Sequence, residues 1–183
     1  MNKLKTLNSA ILAACLLALP AAYAATMTKA DYKASKSRIS AEYKTDKAAC
    51  ASQAGNAKDI CMQEAKGKEK VALAELEYGY TGKAGDRNKV LVAKAESAYA
   101  VAKERCDDQS GNAKDVCVKE AKAVEIKALA DAKMGKEIGE AKKDAAADNR
   151  DADYKVAIEK CDALAGEPKN SCVAAAKTKF GKN

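Results

Sequence analysis

Three pairs of cysteines with identical spacing constrain this chain more than any other feature. They are Cys50/Cys61, Cys106/Cys117 and Cys161/Cys172, each C-x10-C, and successive pairs lie 56 and 55 residues apart. The surroundings repeat as well. A tyrosine stands seven residues before each first cysteine (Tyr43, Tyr99, Tyr154), and a glycine five residues after it (Gly55, Gly111, Gly166). Lysines stand three residues before each second cysteine (Lys58, Lys114, Lys169) and five after it (Lys66, Lys122, Lys177). Four matched columns around three matched pairs define an internal repeat.

The unit reads as a helical hairpin. Its flanks are rich in Ala, Lys and Glu, strong helix formers, and its central glycine suits the left-handed position that ends a helix. Asn56 and Asn112 follow as expected N-caps, and Pro168 falls in the first turn of the third return helix, where proline is tolerated. Glu64/Lys68, Asp115/Lys119 and Asp151/Lys155 have i,i+4 spacing with the acid first, the favourable order. Each cysteine of a pair lies five or six residues from the central glycine, at about the same height on two antiparallel helices. That height match predicts the disulfides Cys50–Cys61, Cys106–Cys117 and Cys161–Cys172. The predicted fold is all-α, an elongated tandem array of three disulfide-stapled hairpins with six helical segments.

The faces carry a narrow seam of small residues with Tyr and Cys. Tyr32, Ile39, Tyr43, Cys50 and Ala54 define it in the first hairpin, and Val92, Ala95, Tyr99, Ala102 and Cys106 in the second. Cys117, Ala121, Val124, Ala128, Ala132 and Gly135 continue it on a return helix. The repeat tyrosines read as packing residues. Tyr78 and Tyr80 lie off the seam in a glycine-rich stretch, and are the candidate partner contacts.

The expected organisation is a signal peptide at 1–24, hairpin repeat 1 at 25–78, a Gly-rich linker at 79–86, repeat 2 at 87–136 and repeat 3 at 137–183. The signal reading rests on Lys3 and Lys5, an apolar run from Ala10 to Ala21 too short to span a bilayer, and Ala22-Tyr23-Ala24, which places cleavage after Ala24. Leu12-Ala13-Ala14-Cys15 offers a competing lipoprotein reading through Cys15, opposed by the apolar residues that follow it. Between repeats 2 and 3 no strong breaker appears, which leaves open a long helix from about Asn112 to the Cys161 region.

Composition explains the staples. Beyond residue 24 the chain has 35 Ala but only 20 Leu, Ile, Val or Phe, too few for an ordinary apolar core. Disulfides replace what such a core would supply. The chain contains no histidine, which excludes His-based catalytic triads and dyads and His-ligated zinc. The carboxylates read as solvent-facing, without a pocket to tune them, so no catalytic residue, metal or cofactor is assigned. Soft-metal binding or redox sensing by the thiols is an alternative reading. The formal charge of +7 falls to +5 without Lys3 and Lys5. Lysines interleave with acids, so adhesion to anionic envelope polymers is a second alternative, and no nucleic-acid partner is expected.

The C-x10-C hairpin resembles, in geometry only, the twin-cysteine hairpins of mitochondrial intermembrane-space proteins, which use two pairs usually spaced C-x9-C. The chain beyond the signal resembles exported Lys/Ala-rich repeat proteins of Gram-negative bacteria, some labelled TolA-like cell-envelope proteins. The resemblance rests on Ala-Asp-Tyr-Lys at 152–155 and Gly-Asn-Ala-Lys-Asp-x-Cys at 55–61 and 111–117. The third repeat departs at Gly166-Glu167-Pro168-Lys169-Asn170-Ser171-Cys172. The leading expectation is a non-enzymatic periplasmic structural or interaction protein, an envelope-associated or stress-related scaffold or chaperone, with an unidentified protein or envelope component as partner.

Overall fold

Long runs of Ala, Lys and Glu interrupted by few breakers should give long helices, and they do. A computed structural model describes residues 27–182. The signal segment, Cys15 and the Ala24 cleavage position lie outside the described residues. The helices are α1 (Lys29–Ala49), α2 (Gly55–Thr81), α3 (Ala84–Cys106), α4 (Gly111–Asp162) and α5 (Gly166–Phe180), with one 3-10 turn at Cys50–Ser52. Thr28 starts α1 with a reciprocal capping box, accepting from the Asp31 backbone N–H while the Asp31 carboxylate accepts from the Thr28 N–H.

All three disulfides form as the spacing predicts, with Cα–Cα separations of 5.6, 5.7 and 5.6 Å. The chain is an all-α array of three stapled hairpins, but the described residues form five helices rather than six segments. Hairpins 2 and 3 share α4, whose 52 residues make a rod about 78 Å long. The expected boundary at 136/137 therefore falls inside a helix.

The two joints between hairpins differ for a local reason. Gly82, 21 residues after Cys61, adopts φ +63° and ends α2. The residue 21 after Cys117 is Ile138. A β-branched side chain is strongly disfavoured in the left-handed region, so the helix continues through it. The expected linker at 79–86 shrinks to a corner at Gly82 and Lys83, because Gly79–Thr81 complete α2 and Gly85 lies in the first turn of α3.

Among the described residues each helix packs against its neighbours in sequence and no others, with α2 against α3 the most extensive contact. The first four helices thus form an open layer, not a closed bundle. The buried apolar side chains are few and small: Ala65, Ala93, Ala95, Ala132 and Ala176 beside Ile39, Leu76, Val90 and one cysteine of each pair. Residues 133–153 of α4 are exposed throughout, with Gly135, Lys136 and Gly139 lining a depression against the start of α3 and the residues from 140 onward forming a helical span between the second and third hairpins.

Candidate functional site

The corners come first, because they are what the repeat preserves. Gly55, Gly111 and Gly166 all have left-handed φ, 56°, 56° and 60°, a conformation that costs other residues about 1–2 kcal/mol. Each stands as the first residue of the return helix rather than the last position of the outgoing one. The preceding Ala54, Ser110 and Ala165 are extended and make no side-chain capping bond. Asn56 and Asn112 are therefore not N-caps, because the helix has begun before them. Asn56 instead donates to the Glu104 carbonyl and the Asp108 carboxylate, each at 2.8 Å, and so ties the first corner to the end of α3.

At each corner the first cysteine is buried, at 0–1% exposure, and its partner half-buried. The second and third corners add an ion pair across the turn, Lys114–Asp107 at 2.9 Å and Lys169–Asp162 at 3.0 Å. The first corner has Ala51 where the others have aspartate. An aspartate immediately after the first cysteine, opposite the lysine before the second, was the available sequence signal for this pair. Beside Cys50–Cys61 lies an open depression of about 310 Å³, lined by residues that include Asp46, Glu64 and Lys68.

The repeat tyrosines Tyr43, Tyr99 and Tyr154 are all half-buried. The Lys122 ammonium lies 4.7 Å from the Tyr99 ring centroid, and Tyr154 meets Phe180 edge-on at 6.0 Å. Tyr78 and Tyr80 lie in the last turn of α2, 37% and 41% exposed. Tyr80 packs on Tyr32 with centroids 4.7 Å apart, and Tyr32 donates its hydroxyl to Glu77 at 2.7 Å. That bond holds the Tyr32 phenol above its ordinary pKa. The structure brings Tyr80 into an aromatic contact closing the far end of hairpin 1, about 28 Å of helix from its disulfide by rise per residue.

Two carboxylates correct the expectation that all are solvent-facing. Asp86 is 6% exposed and Glu125 7% exposed. Asp86 sits in the first turn of α3, where negative charge is favoured. It accepts from Lys89 at 2.8 Å and from the Thr81 hydroxyl at 2.6 Å, and the Lys89 bond is the main cause of its lowered pKa. The Thr81 hydroxyl also accepts from the Lys83 N–H at 3.2 Å, so Asp86 and Thr81 together lock the Gly82 corner. Glu125 accepts from Lys122 at 2.5 Å, an interaction that raises the Lys122 pKa. Glu125 takes the inward position expected of Val124, which is exposed. The inward residues 121, 125, 128 and 132 keep strict 4-3-4 spacing, and Val124 lies one residue out of phase.

Most acidic residues expected to pair along their own helix pair between helices instead. Glu64 accepts from Arg105 at 2.7 Å, Lys68 donates to Asp46 at 2.8 Å, and Asp151 accepts from Lys182 at 2.6 Å. The last contact fastens the carboxyl-terminal end to α4 and holds the Asp151 carboxyl below its usual range. Among the described residues no group of three or more Cys, Asp and Glu has metal-holding geometry, and no helix is long and apolar enough to cross a membrane. Comparison of the chain with protein-family models, curated proteins and solved structures returned no match.

Proposed function

We propose that this is a non-enzymatic periplasmic structural or interaction protein, an envelope-associated scaffold whose rigidity comes from disulfides rather than from a core. One observation carries the reading: three covalently closed hairpins are strung on an open helical layer and a 52-residue helix, which gives extended surface rather than an enclosed pocket. Three intramolecular disulfides indicate an oxidising, non-cytoplasmic compartment. With Cys50, Cys61, Cys106, Cys117, Cys161 and Cys172 all in disulfides, a soft metal or redox role would first require reduction. The amino-terminal Lys-apolar-Ala segment is consistent with export.

Fractionation with thiol labelling and a deletion strain test this reading. The chain should be found in the periplasm with its six thiols reactive only after reduction. Deletion should raise outer-envelope permeability under stress, with rescue by the wild-type chain and not by one lacking the six cysteines. A cytoplasmic chain with free thiols would overturn the compartment. Unchanged permeability in the deletion strain would overturn the scaffold role.

A further inference from the structure

The contact between hairpins 1 and 2 is built by α2 and α3. Asn56 reaches the Glu104 carbonyl, Gln63 donates to the Glu104 carboxylate at 3.2 Å, and Arg105 pairs with Glu64. Gly67 lies closest to Ser97, and Lys70 pairs with Glu96. The repeat offset carries each of these positions onto α4. The α2 positions become Asn112, Lys119, Glu120, Ala123 and Ile126, and the α3 positions become Glu159, Lys160, Ala152 and Asp151.

Three of the transferred contacts keep their complementarity, while Lys70/Glu96 becomes Ile126/Asp151 and loses its charge pair. Glu64/Arg105 becomes Glu120/Lys160, and Gln63/Glu104 becomes Lys119/Glu159, a full charge pair. Gly67/Ser97 becomes Ala123/Ala152, small against small. Yet all six of these α4 residues are exposed, and none of the four charged ones has an ion-pair partner among the described residues. The face that α2 turns to α3 is therefore reproduced on α4 and left uncovered.

That face is also the most apolar exposed surface of the long helix. Ala123, Ile126, Ala130, Met134 and Ile138 are all exposed at 3–4-residue spacing, with Ile126 at 56% and Met134 at 54%. Ala141, Ala145, Ala152 and Val156 continue the stripe on the same side of the straight helix. The inward face marked by Glu125, Ala132 and Cys161, which meets α3 and α5, lies on the opposite side.

We propose that α4 pairs antiparallel with α4 of a second copy, about a two-fold axis near Gly139. The transferred pairs are centred there: Glu120 with Lys160, Lys119 with Glu159 and Ala123 with Ala152 each straddle residues 138–140. The third hairpin of each copy thereby occupies, on the second hairpin of the other, the place that hairpin 2 occupies on hairpin 1. The contact is isologous and self-complementary, as a two-fold dimer requires, and it joins two helical layers into one. A second copy is the favoured occupant because α4 runs unbroken through Ile138, which keeps the two halves of the same helix from meeting each other. The inference rests on repeat geometry and is independent of the compartment or envelope role.

Analytical ultracentrifugation of the disulfide-bonded chain tests it. Wild type should show a concentration-dependent dimer. Glu120→Lys and Lys160→Glu should each raise the dissociation constant about tenfold, since each alters two symmetry-related pairs, and the double variant should recover most of the loss. Met134→Glu, at an exposed monomer position, should abolish dimerisation while helicity and all three disulfides persist. A monomer at every concentration would overturn the pairing, whether α4 stays straight or folds back at Gly139. So would a dimer indifferent to positions 120, 134 and 160.

Discussion

Gly67 of α2 packs directly against Ser97 of α3, with no room between them for another side chain. A Cβ built on Gly67 would stand 2.9 Å from the Ser97 Cβ. Neither atom can swing away, because a Cβ is placed by its own backbone. Gly67→Val should therefore force α2 and α3 apart, at a cost of about 1–3 kcal/mol as in other overpacked sites. The expected result is a thermal midpoint lower by several degrees. Gly135→Ala is the control: it meets nothing within 4 Å and should raise the midpoint by about 2–4 °C through helix propensity alone.

The three corner glycines should respond differently. Each has open space around its Cα but a left-handed backbone. Alanine at Gly55, Gly111 or Gly166 should cost about 1–2 kcal/mol through conformation rather than collision. Asparagine, which tolerates that region better, should cost less. Thermal unfolding followed by circular dichroism would rank the variants, and equal losses for Ala and Asn would contradict the backbone explanation.

The third disulfide should be the most consequential locally. Helix α5 has 15 residues and, among the described residues, packs only against α4, and so short a helix is marginal by itself in water. Replacing Cys161 and Cys172 by serine removes about 3 kcal/mol on chain-entropy grounds. Hydrogen exchange should then show loss of protection confined to α5 and the facing end of α4. In the corresponding Cys106/Cys117 variant, α3 keeps its α2 contact and more protection should survive.

Asp86 gives a pH dependence of defined sign. Its folded pKa is lowered by Lys89 and Thr81, so its contribution is present above the ordinary carboxylate pKa. That contribution is lost as pH falls through the depressed folded value. Asp86→Asn should lower the thermal midpoint at pH 7, and the gap from wild type should narrow as the pH drops below about 4. A gap that widens on acidification would refute the assignment. The Lys182–Asp151 contact lowers the Asp151 pKa in the same way, and Lys182→Ala should increase exchange at the end of α5.

How far the chain could be read differs by feature. The disulfides were legible because two cysteines five and six residues from a glycine make a local problem of height and rise. The unbroken α4 was partly legible, since Ile138 stands where Gly82 ends α2. The buried Glu125 was missed because apolar character was weighed above helical phase, although Lys122 one turn earlier signals a neutralising partner. The partners of Glu64, Lys68 and Asp151 were not legible. An i,i+4 pair on an exposed helix contributes only a few tenths of a kcal/mol, so a well-placed residue on a neighbouring helix outcompetes it.

The amino-acid sequence by itself determined the repeat, the helical hairpins and the cysteine pairing, because each depends on contacts within about a dozen residues. Only the tertiary structure decided that α2 and α3 lie side by side in an open layer. It alone also set Asn56 against α3 and left one face of α4 bare. Those outcomes depend on which surfaces meet after the corners close, and alanine-rich faces resemble one another too closely for local preference to choose among them.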